Sequence, residues 1–557
     1  MKYFNKATLV FLILFFLINS CRSAGSDNTE NITDPPFNAG NASVFFNLTG
    51  TEFSESDGNN LQASTGKQLR NPQAAETYYT LINPSTLLAA EVSEESSIPL
   101  KTTAGINPVA ADPGGALANG KKFRAIAYQA SDGSYVGYKD FIVDTPSTSG
   151  GLKLTVGTPY NIVVYSYGTN SLPGFVSSES QSFTSATHNY NSITDGFLYW
   201  KTQTSFTPNM GDNTLKNIIL THRIAGVTVK VNSGTINNTS YIDNITSATL
   251  KNHNRTTIFN IRFGNVVGSR GNPQAVPVIF NPNIQNSATE WISDQLFVNA
   301  DSGGNKTISF QGDVKIGADT KTIKAENAFI IKPGFRTIYK INLKETKCGA
   351  MVDGVFREFM CYNLGADTTA DAFTPSVAIQ GAKYQWGRNT MIPQSNDIGY
   401  ANRDNATTTA NGWHSSINNN FSYDPCTIEN NRYRVPTSIE WQKVINGNPI
   451  TEASKLGPWN YNNPSILQNE HYDSALRIGN LVLPLAGYRQ RLSDGTIRSV
   501  YRGVAGMYWS SSPYSDPQVQ NSLYYVISSN VGHNVVLSTT RITGMSIRCI
   551  KKLDTEN

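Results

Sequence analysis

Short runs of β-branched and aromatic residues recur through the first 345 residues, and glycine, asparagine, aspartate or proline separates them. Such runs are typical of β-strands joined by turns, and their close spacing favours a sandwich. In HRIAGVTVKVN (222–232), valine alternates with other residues at Val227, Val229 and Val231. This alternation predicts a strand that buries one face, the face that carries the three valines. Clear strand candidates are ASVFFNLTG at 42–50, KKFRAIAYQA at 121–130, SYVGYKDFIV at 134–143 and YNIVVYSYG at 160–168.

The length and charge of the chain narrow its class. With 557 residues, it is long enough for roughly three to four domains that each bury their own core. Charged residues make up 15% of the chain and the net charge is +4, a balance typical of secreted β proteins. Because no cluster of Lys and Arg forms a basic stripe, we expect no nucleic-acid partner.

The N-terminus predicts export. Lys2 and Lys6 precede the apolar stretch 7–18, which is too short to remain as a membrane-spanning helix. The signal ends in INSC (18–21), which resembles a bacterial lipobox and implies cleavage after residue 20 and a lipid anchor on Cys21. An ordinary secretory signal with an incidental cysteine is the alternative. Residues 21–41 are poor in apolar side chains and predict a flexible tether.

The other cysteines lie in the last 210 residues. An even number in an exported chain predicts two disulfides, and four cysteines allow three pairings. CxxC motifs are absent from the sequence, and the histidines lack metal-ligand spacing, so we expect neither zinc nor another cofactor. The four are Cys348, Cys361, Cys426 and Cys549.

Helix signals appear only in this C-terminal part. In DPCTIENNRYRVPTSIEW (424–441), Thr437 is followed three residues later by Glu440, which predicts a capping box at the start of a helix. Gly447 is a suitable C′ residue for the end of that helix. Its predicted core-facing residues are Ile439, Trp441, Val444 and Ile445.

Several phrases resemble the fimbrillin family of Bacteroidota pili: FLYW at 197–200, LTHRIAGVTVKV at 220–231 and IKPGFRTIYKINLK at 331–344. The resemblance implies two tandem transthyretin-like β-sandwiches, at 42–195 and 196–345. It also implies assembly with other fimbrial subunits by β-augmentation, after proteolysis at Arg70 removes a first strand at 44–49. The alternative is that this strand stays in place.

The C-terminal region 346–557 resembles the Fibrobacter succinogenes major paralogous domain, a relative of C-type-lectin-like and formylglycine-enzyme-like folds. This implies an α+β domain in which Cys426 pairs with Cys549, and Cys348 with Cys361. The phrases that carry the resemblance are KCGAMVDGVFREFMCYNLGAD at 347–367, YQWGR at 384–388, the 424–441 stretch, LPLAGYR at 483–489, GMYWSSS at 506–512 and GMSIRCI at 544–550.

The sequence shows no catalytic apparatus. It contains no H-E-x-x-H or G-x-S-x-G motif, and GALANGKK (115–122) lacks the Ser or Thr and the helix that a P-loop requires. The calcium-binding phrases of C-type lectins do not occur either. Two disulfides would leave no reactive thiol in this domain, so we expect no enzyme.

The tryptophans of the C-terminal region divide into two groups. We expect Trp386, Trp441 and Trp509 in the core, and Trp413, within an Asn-rich stretch, as a ligand contact.

These features predict an outer-membrane lipoprotein exposed on the cell surface or in a fimbrium. The first hypothesis is a tip or accessory adhesin whose C-terminal domain binds a glycan, an extracellular-matrix ligand or another protein. The alternative is a structural pilin or anchor subunit that has no ligand of its own. An enzyme is a third hypothesis, based on fold analogy alone.

Overall fold

The computed structural model describes most of the chain from residue 42 onward. The described residues are 42–54, 76–96, 115–143, 150–236, 240–268, 270–285, 288–300, 308–389, 391–392, 413, 424–459, 472–491, 497–513, 521–528, 532–541 and 543–556. They form two compact units.

Strands dominate the described residues. The first ten are β1 (Ala42–Glu52), β2 (Glu76–Asn83), β3 (Thr86–Ser96), β4 (Lys122–Gln129), β5 (Tyr135–Ile142), β6 (Leu152–Leu154), β7 (Tyr160–Ser166), β8 (Thr187–Asn191), β9 (Leu198–Lys201) and β10 (Gly211–His222). The next ten are β11 (Ala225–Asn232), β12 (Ile242–Asn254), β13 (Thr256–Asn260), β14 (Asn265–Val266), β15 (Pro273–Pro277), β16 (Glu290–Ile292), β17 (Leu296–Val298), β18 (Ile308–Ile316), β19 (Asp319–Phe329) and β20 (Arg336–Lys347).

Fourteen more strands and two α-helices, α1 (Pro425–Glu429) and α2 (Ser438–Gly447), follow in the described residues. The strands are β21 (Gly349–Val352), β22 (Val355–Glu358), β23 (Lys383–Tyr384), β24 (Met391–Ile392), β25 (Tyr433–Arg434), β26 (Lys455–Leu456), β27 (Ala475–Ile478), β28 (Leu481–Pro484), β29 (Ala486–Arg491), β30 (Ile497–Arg502), β31 (Ala505–Pro513), β32 (Asn521–Ser528), β33 (Gly532–Thr540) and β34 (Ile550–Lys551). Short 3-10 helices lie at Pro282–Ile284, Val377–Ile379, Glu452–Ser454 and Asp554–Glu556. No helix in the described part of the chain has the length and apolar character needed to cross a bilayer.

The first unit contains the described residues within Met1–Ser54, Ala111–Ile224 and Thr256–Gly271. Its main sheet has the strand order β5-β4-β7-β9-β10-β1-β6, and a smaller sheet has the order β14-β13-β8. The apolar residues of the strands form its core, which includes Val44, Ile162, Val164, Ile218 and Leu220. The strands predicted at 42–50, 121–130, 134–143 and 160–168 all belong to this unit.

A buried ionic cluster crosses the first unit. The carboxylate of Glu179 accepts hydrogen bonds from the Tyr165 hydroxyl at 2.6 Å and from His188 Nδ1 at 2.8 Å. Arg124, whose side chain is also buried, lies 3.5 Å from Glu179 and forms a two-point ion pair with Asp140. Burial opposes ionisation of Glu179, but these partners outweigh it and hold its pKa below the ordinary value.

The second unit contains the described residues within Glu55–Ala110, Ala225–Arg255 and Asn272–Asn557. Its β-sandwich part has one sheet of order β16-β11-β20-β3-β2, with β17 also paired to β11, and a second sheet of order β15-β12-β18-β19. Val227, Val229 and Val231 are fully buried on β11, which confirms the alternation read from the sequence.

Strand pairing groups the chain differently from the predicted division into 42–195 and 196–345. The hairpin β2–β3 lies inside the first predicted range, yet β3 pairs with β20 from Ser96↔Thr337 to Thr86↔Lys347. Conversely, β9 and β10 lie in the second range but pair within the first unit. Hydrophobic alternation predicts that a strand exists and which face it buries, whereas its partner depends on contacts distant in sequence.

The C-terminal domain continues directly from β20. Its largest sheet has the order β30-β29-β31-β32-β33, and β26-β27-β28 form a second sheet. The short strands β25 and β34 pair antiparallel. The structure therefore has the predicted class, a mainly β N-terminal part followed by an α+β domain, while the lectin-like type of the last domain stays a prediction.

Two disulfides join the four cysteines of this domain. Cys348 is bonded to Cys361 across 13 residues, and Cys426 to Cys549 across 123 residues. These are the pairs that the resemblance implies. Loop-closure entropy gives about 3 kcal/mol for the short loop and about 4 to 5 kcal/mol for the long one. The longer bridge links α1 to the segment before β34.

The predicted capping box begins α2. The Thr437 hydroxyl accepts the amide N–H of Glu440 at 3.1 Å, and the Glu440 carboxylate accepts the amide N–H of Thr437 at 2.8 Å. Trp441, Val444 and Ile445 are buried as expected, but Ile439 is 66% exposed. The assignment of Ile439 to the core is wrong because the helix presents its apolar stripe on the opposite side.

A turn at residues 83–86 connects β2 to β3 and contacts the C-terminal domain. The Ser85 carbonyl accepts the amide N–H of Cys348 at 2.8 Å, and the Pro84 carbonyl accepts that of Cys361 at 2.7 Å. The Tyr433 hydroxyl donates to Ser85 Oγ at 2.9 Å. We call the hydrogen-bonded contact of this turn with Cys348, Cys361 and Tyr433 the joint. It makes the second sandwich part of the packing of the C-terminal domain.

The carboxylate of Glu358 completes the joint. It accepts hydrogen bonds from Ser85 Oγ at 2.8 Å, Lys347 Nζ at 2.9 Å and Lys551 Nζ at 3.0 Å. Burial opposes its ionisation, but the three donors outweigh this and lower the pKa of Glu358 to about 2. The ionised carboxylate therefore holds β20, β22 and β34 to the turn.

Glu358→Gln is expected to lower the free energy of unfolding at neutral pH, because the two lysines and Ser85 lose a charged acceptor. Since the folded-state pKa is depressed, the contribution of Glu358 is complete above pH 4.5 and is lost as the pH falls towards about 2. Urea titrations at several pH values should show a steeper acid loss of stability in the natural protein than in the variant. Glu452→Gln, at an exposed carboxylate, is the control. If the free energy of unfolding fell equally steeply with pH in the natural protein and in Glu358→Gln, the stabilising role of Glu358 in the joint would be contradicted.

Candidate functional site

Of the residues predicted to have a function, Cys21 and Arg70 lie outside the described residues. The four cysteines form the two structural disulfides. Trp413, predicted as an exposed contact, is fully buried, so that prediction is wrong. Its ring lies 5.9 Å from that of Trp386 and 6.5 Å from that of Trp509.

Trp413 belongs to an aromatic core. Its indole Nε1–H donates to the Arg388 carbonyl at 2.9 Å, and the Trp386 Nε1–H donates to the Ser510 carbonyl at 2.9 Å. The surrounding Asn-rich sequence suggested a surface position. A single tryptophan in a polar stretch can nevertheless anchor that stretch to the core, because its apolar area is large and its one donor needs only one acceptor.

A cleft of about 720 Å³ lies beside the joint, between the β2–β3 hairpin and the C-terminal domain. Its volume falls in the range of roughly 300–1,000 Å³ that is typical of ligand sites. Two residues come from the hairpin β2–β3, and the others from the C-terminal domain. The lining residues are Leu81, Pro84, Met360, Tyr362, Asn363, Leu364, Gly365, Ala366, Thr368, Tyr384, Asn389 and Glu429.

Buried hydrogen bonds fix the floor of this cleft. The guanidinium of Arg548 is 1% exposed and donates to Asn363 Oδ1 at 3.0 Å and to the carbonyls of Met360, Cys361 and Val482. The amide group of Asn363 donates to the Gln380 carbonyl at 2.9 Å. Burial lowers the pKa of Arg548 to about 10, so it stays charged at neutral pH. These bonds hold the segment after β22 rigidly in place.

The rim of the cleft has polar groups with spare hydrogen-bonding capacity. Among the described residues, nothing forms a hydrogen bond or ion pair with the side chains of Thr368, Tyr384, Asn389 or Glu429. Burial, and secondarily the charge of Glu429, raises the pKa of Tyr384 to about 12, so its hydroxyl keeps its proton at neutral pH. Thr368, Asn389 and Glu429 are exposed. The rim therefore offers hydroxyl, amide and carboxylate groups to a ligand.

Glu429 reaches the rim because α1 is anchored at its other end. The buried carboxylate of Asp424 accepts the amide N–H groups of Cys426 at 2.8 Å, Thr427 at 3.3 Å and Val435 at 2.9 Å. Burial raises the pKa of Asp424 to about 7, against the opposite effect of these three donors. The N-cap and the disulfide of Cys426 together fix the position of the short helix.

The described lining residues of the cleft include few titratable groups. Within the described ranges, no group of three His, Cys, Asp or Glu side chains is placed to hold a metal ion. Glu429 is the one acidic side chain among the described lining residues, and no described histidine or thiol lies beside it. The cleft can exclude water with its apolar wall and hydrogen-bond a polar ligand at its rim.

Sequence reasoning missed this cleft. Asn83, Pro84 and Ser85 signal a turn, and the Asn83 side chain accepts the Ser85 amide N–H at 3.1 Å. Nothing in that local signal shows that the turn meets Cys348, Cys361 and Tyr433, far along the chain. The phrase MCYNLGAD, which supplies half of the lining residues, marked the domain but gave no indication that it lines a cleft.

No protein-family model matches the sequence, and no curated protein matches it. Solved structures similar to the chain include a candidate cell adhesion protein of Bacteroides fragilis, with 10% identity over 56% of this chain and 99% of that one, and a TM-score of 0.29. Another is the C-terminally truncated tip fimbrial protein Mfa3 of Porphyromonas gingivalis, with 12% identity, 41% and 93% coverage and a TM-score of 0.24. The fimbrial anchor protein Mfa2 of the same organism has 8% identity, 42% and 90% coverage and a TM-score of 0.24. At TM-scores this low, the likeness does not establish a shared function.

Trp413→Ala is expected to lower the free energy of unfolding by about 3 to 5 kcal/mol, as removal of a buried aromatic side chain does. Ile439→Ala, at a position 66% exposed on α2, should change it by less than about 0.5 kcal/mol. Chemical denaturation measures the free energy of unfolding of both variants and of the natural protein. A Trp413 variant that is as stable as the natural protein would restore the surface interpretation.

Proposed function

We propose that this protein is an exported, non-enzymatic surface protein of the adhesin type, a tip or accessory subunit related to fimbriae, whose C-terminal domain binds a glycan. The observation that supports it best is the cleft at the joint. It combines an apolar wall, formed by Leu81, Pro84 and Met360, with hydrogen-bonding groups that have no partner among the described residues. A pyranose ring has the complementary character, because apolar C–H groups and hydroxyls alternate around it.

The remaining parts would present this domain to its ligand. A lipid on Cys21 would anchor the chain to the outer membrane, and residues 21–41 would act as a tether towards the cell surface. The two sandwiches would carry the C-terminal domain. Other fimbrial subunits are the proposed protein partners, and extracellular-matrix glycoproteins are candidate sources of the glycan.

The second candidate is a structural subunit, and the position of β1 favours it. This strand pairs in parallel with β10 from Ala42↔Gly211 to Glu52↔Thr221, whereas its other edge pairs with β6 over only three residues. Proteolysis at Arg70 would release β1 and expose the edge of β10 to a strand from another subunit. The hairpin β2–β3 follows Arg70 in the chain and would keep its pairing with β20.

The state of the N-terminus tests the second candidate. If β1 is removed, Edman sequencing of the protein extracted from the cell surface should begin at Asn71, and denaturing gels without heating should show a ladder of polymers. A lipid-blocked Cys21 with a single band at the mass of one chain would exclude this assembly. The Arg70→Ala variant should block both the new terminus and the ladder.

The first candidate predicts saturable binding on an array of glycans and matrix glycoproteins. The probe is the exported chain from residue 22, because the joint makes residues 83–86 part of the domain's packing. Thr368→Ala and Asn389→Ala should each weaken binding by about five- to tenfold, the effect of losing one hydrogen bond. Ile439→Ala is the matched surface control. An array on which nothing saturates would reject this function, as would full affinity in both cleft variants.

A further inference from the structure

The charge of the cleft bears on which sugars it accepts. Among the described lining residues, Glu429 is the only acidic side chain, and none is Lys or Arg. Arg548 lies beneath the floor, but Asn363 and three backbone carbonyls accept four of its five N–H groups. From the described lining residues, a ligand in the cleft would therefore meet one exposed acidic side chain and no basic one.

Glu429 has no ion-pair partner among the described residues. It is the last residue of α1, and its side chain is exposed. Its charge already raises the pKa of the nearby Tyr384 hydroxyl, secondarily to burial. The carboxylate can accept hydrogen bonds from sugar hydroxyls, but it repels a second carboxylate or a sulfate at the same rim.

The other rim groups suit neutral hydroxyls. Thr368 and Tyr384 carry hydroxyls that both donate and accept, and Asn389 carries an amide with two donors and an acceptor. Acidic sugars are usually held by Arg or Lys, often in two-point contacts. The described wall supplies no such group.

We propose that the cleft selects uncharged pyranoses and excludes sugars that carry a carboxylate or sulfate, and that Glu429 determines this selectivity. The inference rests on the proposed glycan-binding function and adds the class of ligand to it. The contacts of a neutral sugar would be made by the rim hydroxyls and amide. Glu429 would accept a hydrogen bond from a sugar hydroxyl. Its negative charge would repel the carboxylate or sulfate of an acidic sugar.

The test compares pairs of oligosaccharides that differ only in a terminal acid. The exported chain is titrated with a neutral hexose-terminated oligosaccharide and with the same oligosaccharide capped by a carboxylate sugar. The variants are Glu429→Gln, which removes the charge and keeps an acceptor, and Glu429→Lys, which reverses the charge. Glu452→Gln, an exposed carboxylate outside the cleft, is the matched control. Thermal unfolding checks that each variant is folded.

The natural protein and Glu452→Gln should bind the neutral member at least about tenfold more tightly than the acidic one, and added salt should reduce this ratio. In Glu429→Gln the ratio should fall to about two or less, because the ratio of the two affinities reports the charge whatever the change in affinity for the neutral sugar. Glu429→Lys should invert the preference. Equal or tighter binding of the acidic sugar by the natural protein would overturn the selectivity and leave the glycan-binding function standing. An absence of binding to either sugar and to the whole array would reject both.

Discussion

The contact between the 83–86 turn and the C-terminal domain is the interaction on which the rest of the second unit depends. Backbone carbonyls of Pro84 and Ser85 accept the amide N–H groups of Cys361 and Cys348, so the turn satisfies donors that flank a disulfide. Strand β20 runs into the same place from the sandwich. The two parts are therefore joined by main-chain hydrogen bonds as well as by chain connectivity, and the cleft lies at their shared boundary.

Buried charges organise the C-terminal domain around that boundary. Arg434 forms a two-point ion pair with Glu440, at 2.8 Å for each contact, and Glu440 also caps α2. Arg548 binds three carbonyls on two separate segments, and Asp424 binds three amides around α1. Each of these groups would be costly to bury alone, and each has partners that offset the cost. The rigid floor of the cleft follows from these hydrogen bonds, and the rim groups are the part of the described lining that is available to a ligand.

Local chemistry was readable from the sequence, and long-range contact was not. Thr437 and Glu440 predicted a capping box because the motif acts within one helical turn, and the valines of β11 predicted a buried face because alternation is a property of one strand. Trp413 was misplaced because its surroundings are polar in sequence but its ring packs against residues far away. The pairing of β3 with β20, and hence the cleft, depends on residues some 250 positions apart, for which a single sequence has no local signal.

Native-state hydrogen exchange at the amides of Cys348 and Cys361 tests the central claim that the sandwich and the C-terminal domain form one structural unit through the joint. The account predicts that these amides open with the same free energy, and the same dependence on denaturant, as the amides that pair β3 with β20. Exchange of Cys348 and Cys361 at a much lower free energy, while the β3–β20 amides stay protected, would contradict it. In that case the turn would be an incidental contact, and the cleft beside it would have no fixed wall.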